Sequence, residues 1–99
     1  MKTNRNTINK IVIDAIFAIK ADGEHHFVAR LRYSNAVVWE TEHFYLLQSY
    51  ATLVAAIDKE TNIMFDFLRY VYGYTPTSAQ HIAKFATDYG ATRRYTYRP

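Results

Sequence analysis

The chain has 99 residues, 49% of them hydrophobic, with 12 basic and 9 acidic side chains, nine tyrosines and no cysteine. That length allows one domain around a single small core, the hydrophobic content argues against disorder, and the lack of cysteine excludes disulfide frameworks and thiolate metal sites. No stretch reaches the ~18 apolar residues of a membrane span, and the apolar run behind the basic start MKTNRNTINK is broken by Asp14 and lacks a cleavage site, so no signal peptide is expected.

Residues 1–6 are expected to fray. From Thr7 to Lys20, Ile8, Ile11, Val12, Ala15, Ile16 and Ile19 follow helical spacing, while Ile11, Ile13, Ala15, Phe17 and Ile19 alternate as in a strand. The helix is the better reading, because it leaves Asn9, Lys10, Asp14 and Lys20 off the apolar centre. Asn6 or Thr7 is the expected cap and Asp22-Gly23 the stop. Phe27, Ala29, Leu31 and Tyr33 then alternate with His26, Val28, Arg30 and Arg32, as in a half-buried strand. A three-residue loop, Ser34-Asn35-Ala36, pairs Tyr33 with Val37, Leu31 with Trp39 and Arg30 with Glu40. The second strand runs unevenly through Glu40-Thr41-Glu42 into Phe44–Leu47, either bent or broken near Glu42.

Ala51–Ile57 is a short apolar run, residues 58–62 a polar turn, and Ile63–Tyr72 an aromatic and branched run ended by Gly73. A helix follows Tyr74. Thr77 with Gln80 forms a capping box; alternatively Thr75 caps and Pro76 is the first helical residue. Ala79, Ile82, Phe85, Ala86 and Tyr89 are its expected buried face, and Gly90 its stop. The tail, residues 91–99, alternates Arg93, Tyr95 and Tyr97 with Thr92, Arg94 and Thr96, so it is either an edge strand or a flexible, solvated end. Arg93, Arg94 and Arg98 all lie in the last seven residues; without them nine basic side chains face nine acidic ones. The basicity belongs to the tail, and Arg30 and Arg32 extend it only if the tail packs beside them.

Two segments carry a resemblance. Leu47-Gln48-Ser49-Tyr50-Ala51-Thr52-Leu53-Val54-Ala55 holds a Ser-Tyr-x-Thr step. Tyr74-Thr75-Pro76-Thr77-Ser78-Ala79-Gln80-His81-Ile82 is similar to Tyr-Ser-x-Thr-Thr-x-x-His-Ile. In this order they resemble a family of small proteins carried by phages and prophages of Gram-positive bacteria, over roughly residues 44–90. The resemblance implies strands followed by a helix, and a phage accessory gene expressed in a bacterial cytoplasm. It brings no established activity, so it assigns no catalytic residue.

The residues themselves offer little catalytic chemistry. His25 and His26 are adjacent and point to opposite faces of a strand, His43 and His81 stand apart, and no metal-ligand spacing appears. No metal or cofactor is expected. Ser49, Thr52, Thr75, Thr77 and Ser78 are hydroxyls near His81, but no orienting third group or Gly-x-Ser-x-Gly elbow accompanies them. His81 reads as a partly buried, hydrogen-bonded residue of the helix start.

The expected architecture is one α+β domain over residues 1–99: an N-terminal helix, an antiparallel sheet of about four or five strands, and a capped C-terminal helix packed on it. The expected role is a non-enzymatic protein that binds a host factor, an inhibitor of a CRISPR nuclease being one version, with Trp39, Arg93, Arg94, Tyr95, Tyr97 and Arg98 as candidate contacts. The alternative is a nucleic-acid binder using the same tail. An open sheet edge also admits a homodimer.

Overall fold

A computed structural model describes residues 4–31 and 35–99. Its elements are α1 (Arg5–Ala21), β1 (His26–Arg30), β2 (Ala36–Glu40), β3 (Phe44–Ser49), β4 (Thr52–Asp58), β5 (Ile63–Asp66), α2 (Leu68–Val71), α3 (Pro76–Asp88) and β6 (Arg93–Thr96). The six strands lie side by side in chain order. All neighbours are antiparallel except β5 and β6, which run parallel. A parallel return needs a long crossover, and α2 with α3 supplies it. The class is the α+β arrangement expected, with six strands where four or five were counted.

Among the described residues each face of the sheet carries one long helix, and Leu68 of α2 joins the α3 side. On one face Val12 and Ile19 of α1 pack on Phe44, Leu46, Ala56 and Phe67. On the other, Ile82 and Phe85 of α3 pack on Val38, Leu47, Ala55, Ile57 and Met64. The period-2 alternation of a strand explains how β3 serves both: Phe44 and Leu46 face α1, while Tyr45 and Leu47 face α3. A bulge between Leu47 and Gln48 in the β3–β4 register lets both Val54 and Ala55 join the α3 side.

Several local expectations are corrected. Asn4, not Asn6 or Thr7, caps α1, its side-chain oxygen accepting the Thr7 N–H at 2.9 Å. In the first hairpin Trp39 pairs with Phe27, Glu40 with His26 and Val37 with Arg30. Arg30 already meets Val37 instead of Glu40 on the loop side, and a further register shift lies between Phe27 and Ala29. It turns Phe27 edge-on to Trp39, with ring centroids 6.0 Å apart, while Val28 and Leu31 reach the α3-side core. Arg32, Tyr33 and Ser34, with the pairing expected for Tyr33, lie outside the described residues.

The run from Ile63 to Tyr72 is not one strand. Asp66 stops it: its Oδ1 accepts the Leu68 N–H at 3.2 Å and starts the single turn of α2. At α3 the Thr75 cap with Pro76 in the first turn is the one formed, Thr75 Oγ1 accepting the Ser78 N–H at 3.2 Å. Thr77 and Gln80 form no capping box, because Thr77 already lies inside the helix, where its side chain cannot serve as cap. The buried face is correspondingly shifted: Ser78, His81, Ile82 and Phe85 are buried, while Ala79, Ala86 and Tyr89 are half-buried.

Candidate functional site

The two segments that carry the resemblance meet in space. Ser49 ends β3 facing the first turns of α3. Its Oγ lies 2.8 Å from Ser78 Oγ and 2.8 Å from His81 Nδ1. All three side chains are buried. Burial holds the His81 imidazole below its ordinary value of 6.5. The cluster therefore joins a neutral ring and two hydroxyls across the β3–α3 contact, where each buried polar group finds a partner. The spacing of Ser78 and His81, three residues apart on one helix face, was the signal for part of this. Ser49 comes from a different element, and nothing local links it to them.

Beyond Ser49 the chain turns at Tyr50 and Ala51. Tyr50 sits at φ 56°, a left-handed conformation rare outside glycine. Its N–H donates to Asn35 O at 2.7 Å, and Gln48 Nε2 donates to its carbonyl at 2.7 Å. The ring is exposed. Tyr50 and Tyr72 flank a cavity of about 200 Å³ whose floor includes Ser49, Ser78 and Leu68. Tyr72, at 70% exposure, is the most open large apolar or aromatic side chain among the described residues, and Tyr70 and Tyr74 are exposed near it.

Leu68 also lines a second cavity, of about 400 Å³. Three arginines reach it: Arg69 from α2, Arg94 from β6 and Arg98 beyond β6. Arg94 Nη2 donates to the buried carboxylate of Asp66 at 2.6 Å, and its Nε donates to Thr96 Oγ1 at 3.3 Å. The Arg69 guanidinium lies over the Tyr74 ring at 4.8 Å. Tyrosines and arginines thus form one continuous face, with Leu68 between its two hollows.

The residues expected as contacts divide between the two faces of the sheet. Arg94 and Arg98 reach the α3-side cavity. Tyr95 and Tyr97 lie on the α1 side, half-buried, Tyr95 stacked on Phe65 at 6.3 Å and Tyr97 edge-on to Tyr70 at 4.9 Å. Arg93 lies over Tyr95 at 5.1 Å. Trp39 is half-buried, its Nε1 donating to Gln48 Oε1 at 3.0 Å. Backbone groups of Arg98 are held by Asn9, which donates to the carbonyl at 2.7 Å and accepts the N–H at 2.9 Å. Arg30, on β1, stands at the opposite sheet edge from β6, so it does not extend the patch. Sequence reasoning missed Tyr50, Tyr72, Tyr74 and Arg69 as surface groups. The tyrosines clustered around Gly73 were the signal for Arg69, Tyr72 and Tyr74, and nothing local marked Tyr50.

A separate cluster joins the end of α1 to the β2–β3 turn. Asp22, Glu42 and His43 bring ligand-type atoms within 4.8 Å of one another. Asp22 is already engaged: one oxygen accepts the His43 N–H at 2.8 Å and the other meets the His43 ring. Hydrogen bonds from the Thr41 hydroxyl and from His43 lower Asp22 to about 2, and Asp22 in turn raises His43 above 6.5. Asp22 thus stabilises the fold above its ordinary 3.8, losing this as pH falls toward about 2. His43 contributes fully below 6.5 and fades as pH rises through its raised value. The stability gap between wild type and His43→Gln should therefore be widest near pH ~5 and narrow by pH ~9 in thermal unfolding. A gap that does not change with pH would show that the charge on His43 contributes nothing.

A model of a family of unknown function, DUF8033, matches residues 6–98, and the chain belongs to that family. No curated protein matches the chain, and no solved structure does.

Proposed function

We propose that this member of the DUF8033 family is a non-enzymatic binding protein that docks a partner protein through the tyrosine–arginine face around α2. The observation that carries the reading is the exposure of Tyr50, Tyr72 and Tyr74 beside Arg69, Arg94 and Arg98. Tyr and Arg are the side chains that, with Trp, dominate the binding energy of protein interfaces. The arginines favour an acidic partner surface. A non-enzymatic role is supported by the commitments at Ser49: its hydroxyl is shared between Ser78 and His81, and the next backbone N–H, at Tyr50, is bonded to Asn35. That N–H is not free to stabilise an oxyanion.

In its narrower form the protein is a phage accessory factor that acts in the cytoplasm of its bacterial host and blocks a host factor, a CRISPR nuclease being one such target. Among the described residues no helix is long and apolar enough to cross a membrane. The edge strands β1 and β6 are where a second copy would pair. A nucleic-acid ligand is the second reading, favoured by Arg69, Arg94 and Arg98 beside the exposed Tyr74 ring.

Capture of the tagged full chain from a Gram-positive host lysate, with and without nuclease, separates the two. The expected result is a protein that survives nuclease treatment and is lost in a Tyr72→Ser, Tyr74→Ser variant. Retention of nucleic acid alone, abolished by neutralising Arg93, Arg94 and Arg98, would replace the first reading with the second.

A further inference from the structure

The arginine-lined cavity has a charge balance that points to a particular ligand. Three arginines and one aspartate line it. Both carboxylate oxygens are committed, Oδ1 to the Leu68 N–H and Oδ2 to Arg94. Arg94 is thereby fixed in place and neutralised. Arg69 and Arg98 have no carboxylate partner among the described residues. They leave two positive charges facing a hollow of about 400 Å³, within the usual range of ligand pockets.

We propose that this cavity binds a phosphomonoester, gripped by Arg69 and Arg98 over the fixed Asp66–Arg94 pair. A phosphomonoester carries about −1.5 to −2 charges at neutral pH, which matches the two uncompensated guanidiniums. A phosphodiester or a carboxylate carries only one. Guanidinium offers the planar, paired donors that phosphate oxygens accept. The volume exceeds what inorganic phosphate needs, so the ester carries an organic group, and the exposed Tyr74 ring beside Arg69 gives a flat group a surface to stack on.

The phosphomonoester has two natural sources: a free nucleotide-sized metabolite, or the phosphorylated end of a nucleic acid strand. The inference does not depend on the partner-protein reading, because it is tested with the full chain alone. Calorimetric titration would use adenosine monophosphate, adenosine, and one short oligonucleotide with and without a terminal phosphate. The nucleotide should bind at least about tenfold more tightly than the nucleoside, and Arg69→Gln or Arg98→Gln should each weaken it by about tenfold with an unchanged melting temperature. If the phosphorylated oligonucleotide binds as well as the nucleotide, and more tightly than its hydroxyl-ended twin, the source is a strand end. If the nucleotide alone binds, the source is a metabolite. Equal affinity for nucleotide and nucleoside, no phosphate-dependent binding of any probe, or full affinity in both arginine variants would overturn the site.

Discussion

Phe85→Ala should lower the unfolding free energy by about 3–5 kcal/mol in a denaturant titration, the range for deleting a buried phenyl ring. Phe85 is fully buried in the C-terminal half of α3, in the cluster formed with Leu47, Ala55, Ile57 and Met64. Its ring lies 5.3 Å from that of Tyr89, which in turn lies 4.9 Å from Tyr45 of β3. Truncation therefore empties the contact through which α3 holds the sheet. A domain of this size has a total stability of roughly 5–15 kcal/mol, so the loss approaches a large share of the whole. Phe17→Ala is the matched control: the side chain is 64% exposed, and its loss should cost less than about 0.5 kcal/mol. Similar costs for the two would mean that α3 does not dock through Phe85. The same experiment bears on the candidate site, since Ser78 and His81 reach Ser49 only while α3 is seated.

Both long helices were legible because burial on a helix recurs with a period of 3.6 residues. In α1 the residues that became buried, Val12, Ala15 and Ile19, belong to the set that spacing alone selected. In α3 the apolar pattern found Ile82 and Phe85; His81, expected as a partly buried, hydrogen-bonded residue, is buried and bonded to Ser49, while Ser78 was passed over. A hydropathy pattern counts a hydroxyl or an imidazole as surface. Here both are buried because Ser49 arrives from β3 to satisfy them.

Sheet register was less legible. A strand pattern assumes strict alternation, and one extra residue reverses every position beyond it. The shift at Val28 carried Phe27 to the other face, and Arg30 was already paired with Val37 rather than Glu40 on the loop side of that shift. The arginine cavity was hidden for a different reason. Its parts come from β5, α2 and β6, and β6 reaches β5 only by crossing over through α3. Asp66 and Arg94 are 28 residues apart, and no local spacing marks such a pair.

Tyr50→Gly separates the backbone of the β3–β4 turn from the ring it displays. Tyr50 holds φ 56°, a region that costs a non-glycine residue about 1–2 kcal/mol, whereas glycine enters it freely. Against that gain stand the greater flexibility of glycine in the unfolded chain, about 0.4–1 kcal/mol, and the loss of the ring's contact with His81, whose centroid is 6.0 Å away. The melting temperature should therefore stay constant or rise slightly. The Asn35 carbonyl keeps its backbone donor, because glycine retains the N–H. Partner affinity should move the other way, falling by about 2 kcal/mol, or roughly thirtyfold, as for a hot-spot tyrosine. Tyr50→Asn should lose affinity equally, since asparagine also tolerates this backbone but brings no ring. Tyr50→Phe should keep most of it. Strained residues persist where the structure around them has a use for the side chain they present. If Tyr50→Gly gains stability and keeps full partner affinity, the exposed ring has no such use, and the docking face must be drawn without the turn.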